Sequence, residues 1–277
     1  MYKALIFSDL DGTFLHHKTF DFKILVEDLH ILEKQKYLFI PISSKTYDEI
    51  ILIKDKINLN FPFSVENGSC SYFPQTTTNV ENKNVIYHKI RSKTSKSIKY
   101  IESILDSNEF NKFKNSFQMI KNLSNKEIMK ITNLKKKNIQ YFLNREFSIS
   151  ILWTGNKEAL KAFQKKLNHN YLDIKFGGKI FNISGFSNKV DGIKIIIKYF
   201  KKRSFLNSNF FTIGIGDSEN DINMLKYTDY SALIKKSDGK YLKLNDKYIF
   251  IKSKRIAPKG WREVMSKIYK FKEKKNY

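Results

Sequence analysis

Both ends of this chain repeat one rhythm, an apolar run followed by an amphipathic segment, and that rhythm decides the class of fold. Residues 3–8 (KALIFS) and 37–42 (YLFIPI) read as short strands buried on both faces. Between them Phe22, Leu25, Leu29 and Leu32 recur at helical spacing over 22–36. Thr46 and Glu49 are spaced as a capping box, opening a helix over 47–57, and 63–67 (FSVEN) reads as a third strand. The rhythm returns with a helix over 191–203, a buried strand over 210–215 (FFTIGI) and a closing helix over 259–274. Ser218 and Asp221 are placed as a second capping box at the start of a helical segment over 218–226. Such alternation predicts an α/β fold built on a parallel sheet.

The texture changes between the ends. From about 84 to 185, Lys, Asn and Ser dominate and the periodicity weakens. Segments 95–106, 123–137 and 156–168 read as helices, 145–153 (REFSISILW) alternates like a half-buried strand, and 174–184 reads as strand, turn, strand. The expected organisation is one α/β domain, residues 1–83 and 186–277, interrupted by an inserted α/β domain over 84–185.

Chemistry gathers at the strand ends. Asp9-Leu10-Asp11-Gly12-Thr13 follows the first strand, where alternation predicts that Asp9 and Asp11 point the same way. Two adjacent carboxylates repel unless a cation or a shared proton relieves them. A calcium loop is excluded, since its sixth and twelfth positions hold Phe14 and Phe20 instead of Gly and Glu. Gly214-Ile215-Gly216-Asp217-Ser218-Glu219-Asn220-Asp221 follows a later strand, and Glu219 stands where a dinucleotide fingerprint needs glycine. Asp217 and Asp221, four apart, can share one side of the turn. Ser43-Ser44-Lys45-Thr46 supplies hydroxyls and free N–H groups at a helix start, an anion cradle or simply a cap. Lys189, just ahead of the helix expected from Asp191, can offset phosphate charge.

Composition narrows the partners. Lys and Arg number 51 against 27 Asp and Glu, a net charge of +24, which favours anionic ligands. The lysines are spread along the chain instead of clustering with aromatics, so a nucleic-acid-binding module is the weaker alternative. A lone cysteine, Cys70, fits a reducing compartment. No apolar run approaches the ~20 residues of a membrane span. A soluble cytoplasmic protein is expected, with His16 and His17 in a solvated loop near the first acidic motif.

DLDGT at 9–13, a Ser/Thr after the second strand, Lys189 before a helix and GDSEND at 216–221 together resemble the haloacid dehalogenase-like hydrolases, in the Cof-like branch with a large α/β cap. Within it SSKT (43–46), VENG (65–68), REFS (145–148) and GGK (177–179) resemble the mannosyl-3-phosphoglycerate phosphatases. Departures are Ile149 and Ser150 in place of Glu-Pro, Lys179 in place of Arg, and Asn182 in place of a His. The resemblance implies a Rossmann-like core and a Mg²⁺-dependent phosphatase acting on a small phosphorylated sugar acid. It implies Asp9 as nucleophile, Asp11 as general acid and base, and Asp9, the Asp11 carbonyl, Asp217 and Asp221 around the metal. Ser43, Ser44 and Lys189 would hold phosphate. Arg145 and Lys179 would meet the substrate carboxylate, while Lys45, Asn67 and Asn220 line or orient the rim. Another sugar-phosphate phosphatase of the same fold, including one for the glucosyl ester, is the nearest alternative.

Overall fold

The computed structural model describes residues 1–75, 85–177 and 180–275. The chain opens with β1 (Tyr2–Ser8), α1 (Val26–Lys34), β2 (Tyr37–Pro41) and α2 (Tyr47–Ile57). Three short strands follow, β3 (Phe63–Val65), β4 (Cys70–Pro74) and β5 (Tyr87–Arg91), paired antiparallel. The middle forms α3 (Ile98–Leu105), β6 (Phe117–Met119), α4 (Asn125–Thr132), α5 (Ile139–Leu143), β7 (Ser148–Trp153), α6 (Lys157–His169), β8 (Leu172–Gly177) and β9 (Ile180–Gly185). The chain closes with α7 (Lys189–Lys202), β10 (Leu206–Gly216), α8 (Ile222–Tyr227), β11 (Tyr230–Lys235), β12 (Ile251–Ile256) and α9 (Lys259–Lys275).

Five of these strands make a parallel sheet in the order β12-β11-β10-β1-β2. Every residue of β2 is buried, as is β1 from Ala4 onward, which is the unbroken apolar run that a parallel strand covered on both faces requires. The chain leaves β1 for β2 on one side and returns to β10 on the other. The strand order therefore reverses between β1 and β10, and a crevice opens beyond their carboxyl ends. Ser8 pairs with Ile215 there, and Asp9 N–H donates to the Ile215 carbonyl at 2.9 Å. Below this point Trp261 of α9 is fully buried, edge-on to Phe14, and its indole N–H donates to Ser8 Oγ at 3.0 Å.

The middle segment carries an antiparallel sheet in the order β6-β7-β9-β8. Its strands alternate. Ile149, Ile151, Ile174 and Ile183 pack with Ile101 and Leu105 of α3 and with Phe163 and Leu167 of α6 in an apolar core of their own. Ser148, Ser150, Lys175, Asn182 and Ser184 fall on the opposite face by the two-residue period of the strands.

Several expectations need correction. β3 does not extend the parallel sheet; it pairs with β4 and touches the main sheet through an isolated bridge, Ile42 to Ser64. Glu66, Asn67 and Gly68 all take positive φ (46°, 57° and 90°) and turn the chain straight back, so that β4 pairs antiparallel with β3. The helix expected over 123–137 stops at Thr132, where Asn133 takes a left-handed cap. Lys189 lies inside α7, not ahead of it, because Asn188 and Asp191 form a capping box one step earlier. The boundary expected at 83 and 84 falls outside the described residues. Among the described residues no helix is long and apolar enough to cross a membrane.

Candidate active site

Asp9 follows β1, and Asp217 and Asp221 follow β10, so the strand reversal brings them together. One carboxylate oxygen from each lies within 4.8 Å of the others. Lys189 enters from α7, almost completely buried, with Nζ 2.5 Å from Asp9 Oδ1 and 2.6 Å from Asp221 Oδ1. Burial pushes the Asp9 carboxyl up to about 8; the Lys189 ammonium opposes this, and the Asp221 and Asp217 carboxylates reinforce it. Burial, then the Asp221 carboxylate, push Asp217 up to about 7 against the Thr13 hydroxyl, which donates to Asp217 Oδ1 at 3.0 Å. Burial alone pulls the Lys189 ammonium down, but Asp221 and Asp9 outweigh it and hold the group above its ordinary value.

Asp221 is held most firmly. Its Oδ2 accepts from the backbone N–H groups of Asp217 and Ser218, both at 3.0 Å, and from the Ser218 hydroxyl at 3.1 Å. A Cβ on Gly216 would stand 2.5 Å from Asp221 Cβ, so only glycine lets the turn close this tightly. Gly12, at φ 82°, does the same for the first loop, passing directly over the Asp217 carboxylate.

Asp11 departs from expectation. Its carboxylate is absent from the acidic cluster and sits 3.0 Å from Lys45 Nζ, in a half-exposed position. The strand ends at Ser8, so alternation no longer governs the direction of residue 11; the loop instead folds over the Leu10 carbonyl, which accepts from Thr13, Phe14 and Leu15. Lys45 is buried, also 3.4 Å from Glu49, and burial's downward pull on its ammonium is overcome by Asp11 and Glu49. Ser43 is buried at the end of β2, its Oγ accepting from Lys45 N–H at 3.2 Å. Asn67 Oδ1 accepts from Asn220 Nδ2 at 3.2 Å, tying the turn after β3 to the acidic loop after β10.

A cleft of about 350 Å³ opens above Asp11, Ser44, Lys45, Asn67 and Asn220, and residues of the middle segment roof it. Arg145 donates to the Ser44 carbonyl (3.2 Å) and to Ser148 Oγ (3.1 Å), while its buried Nε has no partner among the described residues. The neighbouring Glu146 does not pair with Arg145; it pairs with Lys89 and accepts from Tyr72. Glu66 has a structural role. Its carboxylate accepts from Glu146 N–H (2.8 Å), Phe147 N–H (3.0 Å) and Ser148 Oγ (2.5 Å), fastening the roof to the sheet below. His17 lines the cleft, whereas His16 turns its Nδ1 to the backbone N–H groups of Lys18 and Thr19. Lys179 lies outside the described residues.

The model of the haloacid dehalogenase-like hydrolase family matches residues 6–254. This chain belongs to that family. It is 29% identical over 277 residues, 95% of its length and 96% of the relative's, to a glucosyl-3-phosphoglycerate/mannosyl-3-phosphoglycerate phosphatase of Persephonella marina. A protein of the same description from Methanococcoides burtonii is 26% identical over 268 residues, 94% of each chain. The fold is that of a haloacid dehalogenase-like hydrolase from Bacteroides thetaiotaomicron, with a TM-score of 0.62, 14% identity, and 97% of this chain and 100% of that one covered. In this hydrolase the sequence motifs located the acids, Lys189, Lys45, Asn67 and Arg145. They did not reveal Phe20 and Lys175, which also line the cleft. Phe20 sits at φ 56° with Lys45 Nζ 5.1 Å from its ring, and nothing local in the sequence marks that turn.

Proposed function

We propose that this hydrolase is a Mg²⁺-dependent phosphatase that cleaves the phosphomonoester of a small sugar acid, mannosyl-3-phosphoglycerate first and its glucosyl counterpart next, through a phosphorylated Asp9. The observation that carries the reading is a charge imbalance. Asp9, Asp217 and Asp221 converge on one buried point while Lys189 supplies a single positive charge there. With all three ionised two negative charges would remain, which is why Asp9 and Asp217 are held above the ordinary aspartate range without an ion. Hard carboxylate oxygens at this spacing suit a small divalent cation, which would take the place of those protons. Asp9, the Asp11 carbonyl and Asp217 would hold Mg²⁺, with Asp221 behind them, and the ion would offset charge on the phosphoryl oxygens.

The chain's own residues supply the rest. An Asp9 carboxylate oxygen forms a bond to phosphorus as the bond to the ester oxygen breaks. The leaving oxygen takes a proton from Asp11. Water then gives a proton to Asp11 and its oxygen to phosphorus, the bond to Asp9 breaks, and orthophosphate leaves. Lys45 Nζ, 3.0 Å from the Asp11 carboxylate, fixes the position of that side chain. Lys189 and Ser43 supply fixed positive charge and a hydroxyl for the phosphoryl oxygens. Residues 84–185 act as the inserted cap, with Arg145 placed for a carboxylate and Asn67 and Asn220 bracing the rim. The lone buried Cys70 fits a reducing cytoplasm.

Phosphate release from mannosyl-3-phosphoglycerate, glucosyl-3-phosphoglycerate and simple sugar phosphates, with and without Mg²⁺, tests this. The expected result is Mg²⁺-dependent turnover highest on the two glycerate esters. Equal rates across the panel would remove the substrate assignment, and turnover unaffected by chelation would remove the metal.

A further inference from the structure

Ser150 of β7, Asn182 of β9 and Lys175 of β8 stand side by side across the cap sheet, Asn182 opposite both of the others. Cross-strand partners share a face, and this row lies on the face away from the isoleucines that pack on α3 and α6. Asn182 and Lys175 both line the catalytic cleft. The Ser150 hydroxyl donates to Asn182 Oδ1 at 2.6 Å, which fixes the amide and leaves its NH₂ group as the available donor. Lys175 Nζ donates to the Ser187 carbonyl at 2.6 Å, using one of three donors.

Among the described residues no carboxylate stands at ion-pair distance from Lys175. Burial pulls its ammonium below the ordinary lysine value, and the more distant charges of Asp173 and Asp191 oppose that only in part. A desolvated ammonium with no counter-ion is costly, and a carboxylate at hydrogen-bond distance offsets that cost. The same roof holds Arg145, whose buried Nε is also unpartnered. Two cations with unused donors thus face a cleft that Asp11 also lines.

We infer that Lys175 is a specificity-determining residue, holding the carboxylate of the substrate while Asn182 beside it donates to an adjacent oxygen of the same ligand. The inference rests on the phosphatase reading above and adds to it the residue that selects among esters. The contrasting role is a latch, since Ser187 lies two residues before Lys189 and Lys175 spans from the cap to that hinge. A latch would serve every ester alike.

The test compares Lys175→Met and Lys175→Arg on mannosyl-3-phosphoglycerate and on p-nitrophenyl phosphate, which has no carboxylate. Lys175→Met should raise KM for the glycerate ester roughly 10–100-fold, the worth of one hydrogen bond to a charged group, and at least about tenfold more than for the aryl ester. Its kcat on the glycerate ester should stay within about threefold, and Lys175→Arg should restore most of the discrimination. Equal losses on both esters, or a loss in kcat alone, would overturn the inference and leave the latch. A native protein that cleaves neither ester in Mg²⁺ would overturn the phosphatase reading itself, a result distinct from unaltered selectivity in an active enzyme.

Discussion

Lys189 and Lys45, on the core side of the cleft, each touch two carboxylates, whereas Arg145 and Lys175, on the cap side, touch carbonyls and a hydroxyl instead. The core positions its charges against one another before any ligand arrives. Such preorganisation suits a site whose task, phosphoryl transfer, is the same for every substrate. The cap cations form no ion pair among the described residues and feel carboxylates only at longer range, Glu66 and Glu49 for Arg145 and Asp173 and Asp191 for Lys175, which suits a surface whose partner is the variable part of the ligand. Under the proposed function, chemistry falls to one wall and selection to the other, and the two meet over one cleft.

The contrast breaks most visibly at Asp9. Asp9→Asn should lower kcat by about four orders of magnitude on every phosphomonoester while circular dichroism shows an intact fold. A variant retaining substantial turnover would move the nucleophile elsewhere. Chelation should come next, abolishing turnover until Mg²⁺ is restored, and it should also expose the imbalance among the acids. In metal-free protein Asp9 and Asp217, at about 8 and about 7, hold protons that the unfolded chain, with aspartates near 3.8, has released. The native state then binds more protons than the unfolded one, so stability should fall as pH rises from about 4 to about 8. Mg²⁺ should counter that fall. Unfolding midpoints measured in EDTA that climb with pH over this window would show the acids to be compensated already.

On the cap side Arg145→Ala should raise KM for a glycerate ester about 10–100-fold more than for an aryl phosphate; parallel rises would place Arg145 outside the selecting wall. Glu66→Gln should weaken the fastening between the walls, lowering unfolding stability by roughly 1–3 kcal/mol in chemical denaturation, since three donors lose a charged acceptor. The smallest effect belongs to Lys89→Ala. Its ion pair with Glu146 is exposed and should be worth under about 1 kcal/mol by the same measurement.

The two walls also differed in how far the sequence disclosed them. Asp9, Asp217 and Asp221 were legible because they follow apolar runs that can only be buried strands, and strand ends in such sheets converge. The side chain of Asp11 was not, because its direction depends on where β1 stops, a matter of one residue. β3 read correctly as a strand but joined the wrong sheet, since consecutive left-handed residues at Glu66 and Asn67 carry no reliable mark in composition. Arg145 stood out through its motif. Lys175 was one cation among 51 Lys and Arg, and only the strand register, pairing it with Asn182, brings it into the cleft. Local pattern reports burial, whereas cross-strand pairing is a property of the assembled sheet.

The Trp261 indole supports Ser8, whose hydroxyl donates to the Asp9 carbonyl at 2.7 Å, so the closing helix props up a residue from the opening strand. A ribosome emits Asp9 long before Trp261. A chain truncated before residue 259 would contain all the acids described here but lack the Trp261 ring that packs on Phe14 and donates to Ser8. Seating of α9 is thus a precondition for holding Asp9 in place.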